Sequence, residues 1–360
     1  MRPETEVELA EAVAGAAGPL LVRGGGTRTI GHAVGEVLET SGLSGVEMYE
    51  PGALTLVVRA GTPVAEVERV LAGERQRLAF EVPDLRGLLG REGVSTIGGV
   101  AAANASGPRR VQVGAARDAL LGVRFVDGAG TVIKNGGRVM KNVTGYDLVK
   151  LLAGSRGTLG VLSEVSFKVQ ALPEAEATLV VEGLGDEAGL AALRTALASP
   201  YDVSGAARHS GRSLIRVEGM AGSVAYRSGQ LKARVGGEVS VVEGEASAAL
   251  WREVRDVGPL SGKPGDVWRI STLPTAAARI VAQLEGEALW DWGGGLIWVH
   301  LDHGRGAEVA AAVAGRGHAT LVKGEGGPVF PPEAPEVAEL VAGLKAKFDP
   351  RGILNPGMMG

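Results

Sequence analysis

Three consecutive glycines, Gly24-Gly25-Gly26, separate an apolar run, Pro19-Leu20-Leu21-Val22, from a segment without helical pattern, Thr29-Ile30-Gly31-His32-Ala33. The apolar run reads as a strand. Glycines at its end let the backbone turn through positive φ and approach a ligand without Cβ clashes. Consecutive amides in such a turn can form a concave nest for phosphate oxygens. The missing helix is the sharper constraint. A dinucleotide-binding Rossmann turn opens a helix and carries G-x-G-x-x-G, and neither condition holds here. The G-x-x-x-x-G-K-[ST] loop is absent as well: residues 258–264 come nearest, with the wrong spacing and a proline after Lys263. A second glycine-rich stretch at 95–107 offers an opposing wall for one diphosphate.

Glycine accounts for 57 of 360 residues and gathers at strand ends without a repeat, which favours a loop-rich ligand-binding fold over a linker protein. A net charge of −4 implies no polyanion partner, so no nucleic acid is expected. The chain has no cysteine, which removes disulfides, thiolate nucleophiles and cysteine-ligated iron–sulfur clusters together. Any electrons that pass through it must be carried by an organic cofactor. With no signal-peptide core at Met1-Arg2-Pro3-Glu4 and no apolar run of membrane-spanning length, the expectation is a cytoplasmic protein without a transmembrane segment.

An acidic, alanine-rich helix covers 4–17. The β-branched run 54–61 is a strand, followed by a helix capped by Thr62 with Pro63 in its first turn, burying Val64, Val67 and Leu71. An extended piece at 78–83 and a hairpin around Gly128-Ala129-Gly130 come next. Tyr146 opens a short helix, with its ring packed and Asp147 at the N-terminus, and an alternating strand runs from 160 to 169. From about 177 the texture changes to alternating strands and helices, enough for a second domain of roughly 150 residues. A last helix, 334–348, stops at Asp349-Pro350.

Five ordered motifs carry a resemblance. They are Arg23-Gly24-Gly25-Gly26-Thr27, the 95–107 stretch, Lys141-Asn142-Val143-Thr144-Gly145-Tyr146-Asp147, Gly157-Thr158-Leu159-Gly160-Val161, and Phe348-Asp349-Pro350-Arg351-Gly352-Ile353-Leu354-Asn355-Pro356-Gly357. The chain resembles the vanillyl-alcohol-oxidase superfamily and, within it, a family of FAD-binding subunits of glycolate oxidase. The phrases at 114–123 and 136–147 are similar to that glycolate oxidase family in particular. The likeness is strongest over 1–170.

The resemblance implies an α+β fold: a two-subdomain PCMH-type FAD-binding domain at 1–172, split near 50, an α+β cap at 173–328, and a C-terminal helix and tail at 329–360 returning to the FAD domain. It implies that Arg23, Gly24, Gly25, Gly26, Thr27 and Arg28 wrap the FAD pyrophosphate. Pro83, Thr96, Gly98, Gly99, Asn104, Ser106 and Gly107 would line the other side. Gly157, Gly160 and Val161 would face the adenine, and Asn355 the flavin end. Arg109 and Arg117 offer further charge. Relatives with covalent flavin attach it through a histidine after the glycines or through a cysteine. Here Thr27 holds that position, so non-covalent FAD is expected.

The cap departs from the hydroxy-acid dehydrogenase pattern. It offers His300 and His303, with Asp302, and Lys323 as catalytic candidates, and no metal site is expected. The implied function is oxidation of glycolate or a related small 2-hydroxy acid to the 2-oxo acid, or relay of its electrons. Implied partners are a second FAD subunit and an iron–sulfur subunit of a glycolate oxidase-type complex, which would place the chain in the cytoplasm or peripherally at the inner membrane. The alternatives are a self-sufficient D-lactate-like dehydrogenase and a flavin-binding structural subunit without catalysis of its own.

Overall fold

A computed structural model of the chain describes residues 1–137, 145–324 and 328–358. Most of the Lys141–Asp147 motif (141–144) lies outside them.

The first element is the helix Glu6–Ala14, which buries Leu9 and Val13. It packs beside a small parallel sheet in which Leu20–Arg23 pairs with Glu36–Glu39, Leu20 opposite Glu36. Leu20, Leu38, Val126, Val161 and Leu354 close this small core, so residues from both ends of the chain meet in it. Leu20 also bridges Leu354 directly.

A six-stranded antiparallel sheet follows. Val46–Glu50, Thr55–Arg59, Val161–Ala171, Leu120–Val126 and Val132–Gly136 lie side by side in that order, and Gln76–Leu78 pairs the far end of Val161–Ala171. The alternation legible at 160–169 places Val165, Phe167 and Val169 in the core with Leu56, Val58 and Phe125. Phe80 and Phe167 pack with ring centroids 5.4 Å apart. Each such buried side chain contributes about 1.5–3 kcal/mol relative to exposure.

The second half is one eight-stranded antiparallel sheet. Its order is Glu238–Glu243, Ala175–Glu182, Arg212–Gly219, Val203–His209, Glu287–Asp291, Leu296–Leu301, Asp266–Thr272, Gly317–Lys323. Strand period two divides Asp266–Thr272 between two cores: Trp268 and Ile270 enter the one covered by the helices Asp186–Leu197, Ala221–Lys232, Ala277–Leu284 and Gly306–Val313, while Val267 enters the other. The second core includes Ile30 and Leu88 of the first half, so this sheet face looks onto the glycine loops.

Ion pairs cross between the halves in buried positions. Arg109 Nε and Nη2 donate to Glu218 at 3.0 Å each, and Arg216 Nη1 donates to Glu81 at 2.8 Å. Arg77 joins Glu218 at 2.5 Å.

Three local expectations change. The helix after Thr55–Arg59 begins at Val64 with Pro63 as its cap, because the Thr62 hydroxyl is committed elsewhere: it donates to Arg59 O and accepts from the Gly45 amide at 2.9 Å. Residues 95–107 are not all loop: Ile97–Ala102 is helical, capped by the Thr96 hydroxyl, which accepts from Gly99 N at 3.3 Å. Tyr146 is 88 % exposed rather than packed; the helix there is Leu148–Leu152, with Asp147 as its cap.

Candidate functional site

The two glycine-rich stretches meet in one cleft. The loop from Gly24 to Arg28 forms one wall; Thr96, Gly98 and Gly99 form the second; Arg156, Gly157, Gly160 and Asn355 form the third. Sequence separation gives no hint of this meeting, and packing explains it. A Cβ on Gly25 would sit 1.6 Å from the Val94 carbonyl oxygen, so only glycine lets the loop lie against residues 92–95. Gly157 is left-handed (φ 76°), and a Cβ there would press on the Asn355 amide at 2.9 Å.

The cleft is built to receive an anion. Among the described residues, none of the amides of Gly24, Gly25, Gly26, Thr27 and Arg28 finds a hydrogen-bond acceptor. Two arginines stand over them without a carboxylate in ion-pair contact among the described residues. Arg28 is held by the Pro83 carbonyl at 3.2 Å and by the Ser95 hydroxyl. Arg156 lies over the Phe330 ring at 5.3 Å. Burial pushes both guanidinium groups down to about 10, with Asp84 partly opposing this at Arg28. Desolvated cations and free amides together match a diphosphate, so the residues present fit FAD.

Beyond the cleft, the cap sheet and the first half each present one arginine of a second pair. Arg269 stands opposite Trp298 and Thr320, on the sheet face that looks onto the first half. Its guanidinium lies 5.4 Å from the Trp292 ring centroid and 6.0 Å from that of Trp298. Arg110, from the first half, lies 4.6 Å from the same Trp292 ring. Burial pushes Arg269 down to about 10, and Arg110 and Arg156 add to the shift. Neither Arg110 nor Arg269 has a carboxylate in ion-pair contact among the described residues. Asp291 is nearby and fully buried. Desolvation pushes its carboxyl up to about 8, and the Trp292 amide, donating at 2.7 Å, only partly offsets this. His318 lies opposite Ser271 on the same face, and burial and then Arg269 pull its imidazole below the usual range.

The expected site residues divide accordingly. Gly24, Gly25, Gly26, Thr27, Arg28, Thr96, Gly98, Gly99, Gly157, Gly160 and Asn355 line the cleft, and Arg23 reaches it while pairing with Glu39 at 2.6 Å. Pro83 acts through its carbonyl on Arg28. Asn104 and Ser106 brace the loop from outside: Asn104 Oδ1 accepts from Arg117 N at 3.0 Å, and Ser106 Oγ accepts from Ala116 N at 2.9 Å. The Arg117 side chain is half exposed beside Asp118, away from the cleft walls. Val161 is wholly buried in the small core. Arg109 is spent on Glu218 and Glu81. The Gly107 carbonyl accepts from Trp292 Nε1 at 3.2 Å.

The cap candidates hold loops at the end of the sheet. His303 Nδ1 meets Asp266 Oδ1 at 2.6 Å, His300 meets the Pro264 carbonyl, and Lys323 donates to the Lys263 carbonyl at 2.6 Å. Sequence reasoning passes over Arg110, Arg156, Arg269, Trp292 and His318. A signal is present for two of them: Arg269 interrupts the apolar run Val267-Trp268-Arg269-Ile270, and Trp292 precedes three glycines.

The chain is similar in sequence and in fold to known proteins. Residues 1–136 match the family model described as FAD binding domain. The chain is 36% identical over 345 residues to the glycolate oxidase subunit GlcE of Escherichia coli K12, covering 95% of this chain and 92% of that one. It is 34% identical over 166 residues to the glycolate oxidase subunit GlcD of Bacillus subtilis, covering 45% and 34%. Among solved structures, an alkyldihydroxyacetonephosphate synthase matches with a TM-score of 0.70 at 15% identity, over 99% of this chain and 76% of that one, which shows the fold.

Proposed function

This chain belongs to the glycolate oxidase GlcE family of FAD-binding proteins, and on that premise we propose that it is the FAD-binding subunit of a glycolate oxidase-type complex whose own cap anchors a small 2-hydroxy acid. The observation that carries the reading is the row of four arginines, Arg28, Arg156, Arg269 and Arg110, partly buried, without carboxylate partners in ion-pair contact among the described residues, and running from the glycine loop to the cap face.

The chain is an FAD-dependent oxidoreductase acting on a CH–OH group, and its cofactor is held without a covalent link in our reading. Bound FAD supplies a two-electron acceptor suited to such a bond. The chain's own groups do the rest. The Gly24–Arg28 amides, with Arg28 and Arg156, bind the diphosphate. Arg269 and Arg110 hold the substrate carboxylate, which fixes the C2 carbon relative to the cap sheet. His318, its imidazole pulled below the usual range by partial desolvation and by Arg269, takes the hydroxyl proton. Conversion of the 2-hydroxy to the 2-oxo acid removes two electrons and two protons, one of which His318 accepts.

The separate GlcE and GlcD names of the relatives support a multi-subunit assembly. We assign as partners a second FAD subunit and an iron–sulfur subunit, since a chain with no cysteine supplies no thiolate for a cluster. Among the described residues no helix is long and apolar enough to cross a membrane. We place the chain in the cytoplasm, at the inner membrane only through its complex.

Anaerobic titration of the purified, FAD-loaded chain with glycolate and with D-lactate tests the proposal. Flavin bleaching by the chain alone is the expected result. Bleaching only when partner subunits are added assigns the oxidation to them and this chain to relay.

A further inference from the structure

Trp292 is held where a bulky residue is strained. Its backbone is left-handed (φ 54°), a conformation costly for aromatic residues and found where the surrounding structure enforces it. Gly293 (φ 65°) and Gly294 (φ 100°) complete the turn and swing the indole out of the cap. There Nε1 donates to the Gly107 carbonyl of the first half at 3.2 Å. Arg110 and Arg269, one from each half of the molecule, both lie against the ring, at 4.6 and 5.4 Å. All three side chains are only partly covered where the two halves meet, with Trp292 set against the edge of the core that the halves share, so solvent reaches the two guanidiniums there.

The chemistry of this arrangement is specific. A guanidinium facing an aromatic ring keeps its charge free for an anion, whereas one paired with a carboxylate does not. Two such cations against one ring, both reached by solvent, suit a carboxylate. The indole that both guanidiniums lie against is tethered at Nε1 and occupies space that a substituent on the bound acid would need.

We infer that Trp292 is a specificity-determining residue: its indole is the wall that meets the C2 substituent of the bound acid, so the site accepts hydrogen or methyl there and rejects larger groups. This deepens the proposed function and rests on Arg110 and Arg269 being the carboxylate anchors. Trp292 acts by volume, and its backbone strain is the cost of presenting that volume where the two halves meet. Glyoxylate and benzoylformate are the probes that separate the two ideas. Both are 2-oxo acids that differ in the group on C2, and the titration of the FAD-free chain reads glyoxylate binding apart from any oxidation of its hydrate by the flavin.

The test titrates the FAD-loaded full-length chain with each acid, reading the perturbation of the flavin absorbance band, and repeats both titrations by thermal shift on the FAD-free chain. Wild type should bind glyoxylate at least tenfold more tightly than benzoylformate. Trp292→Gly, which removes the wall and the strain together, should narrow that ratio at least tenfold, mainly by tightening benzoylformate. Trp292→Asn, a small residue at ease with positive φ, should do the same and serves if the glycine variant does not fold. Trp292→Phe keeps the ring and should keep most of the preference. An unchanged ratio in a small-residue variant that still binds glyoxylate overturns the wall while leaving the anchors standing. Failure of wild type to bind either acid, with FAD retained, overturns the anchors and the wall with them.

Discussion

The Asn355 side chain accepts a hydrogen bond from the Val22 amide at 2.7 Å, across 333 residues of chain. Its amide nitrogen donates to the Arg156 carbonyl at 2.8 Å and to the Val22 carbonyl at 3.3 Å. One buried side chain thus ties the strand that launches the glycine loop to the Gly157 turn and the tail. Asn355→Ala leaves a buried amide and two carbonyls without it, at about 1–3 kcal/mol. The expected outcome is a lower melting temperature and purified protein with well under half the wild-type flavin-to-protein absorbance ratio. Full flavin content would show that the tail does not brace the cleft.

Gly25 carries the steric test of the cleft. Because a Cβ there would lie 1.6 Å from the Val94 carbonyl, even Gly25→Ala must displace the loop, and Gly25→Val should abolish FAD retention. Gly26→Ala is the contrast. It meets only the end of the Arg23 stem at 3.8 Å and suffers from its φ of 69° alone, at about 1–2 kcal/mol. It should keep part of its flavin, as read from the visible spectrum of the purified variants.

The inter-half ion pairs predict an acid limit. Burial alone would raise the Glu218 carboxyl, but Arg216, Arg109 and Arg77 outweigh it and hold it well below the usual carboxylate range. A depressed folded value means stabilisation that is fully present above the unfolded value, near 4.3, and is lost as pH falls below it. Glu218→Gln leaves buried Arg109 and Arg216 with Glu81 as the carboxylate still in ion-pair contact among the described residues, and partly buried Arg77 with none. It should cost about 3–5 kcal/mol at pH 7 and flatten the loss of melting temperature between pH 5 and pH 3. A variant as stable as wild type at pH 7 would remove these pairs from the account of how the halves stay together.

Asp291 predicts the opposite slope. Desolvation raises its folded value to about 8, against about 3.9 in the unfolded chain. Between these values the folded state holds a proton that the unfolded state releases, so stability falls as pH rises through the window. Asp291→Asn has no such proton to hold. Its stability relative to wild type should grow from near zero at pH 4 to at most about 5 kcal/mol at pH 8, followed by chemical denaturation at each pH. A constant difference across that range would show that Asp291 ionises normally.

Much of the cleft is legible in sequence because its residues act through backbone. A glycine run after an apolar strand announces itself locally, and the Gly157-Thr158-Leu159-Gly160 turn does too. Charged residues are less legible because their roles depend on which half of the molecule they meet. Arg109 reads as spare charge for a diphosphate, yet Glu218, more than a hundred residues later, claims it. Arg269 looks like an interruption of a strand until the other half covers it. Thr62 has the right neighbours for a helix cap and is drawn away by Gly45, a contact that only the folded sheet creates. The strands Val203–His209 and Glu287–Asp291 escape a sequence reading altogether: alanine and glycine in the first and brevity in the second dilute the β-branched signal.

The 333-residue span between Val22 and Asn355 also sets a schedule for biosynthesis. The glycine loop leaves the ribosome 333 residues ahead of its brace. At elongation of about 5–20 residues per second, the interval is roughly 17–67 s. Through it the nascent chain carries a phosphate-binding loop whose Asn355 fastening is still to come, so capture of the cofactor becomes a checkpoint on synthesis of that segment: a chain that stalls before Asn355 can fold its sheets and still emerge colourless.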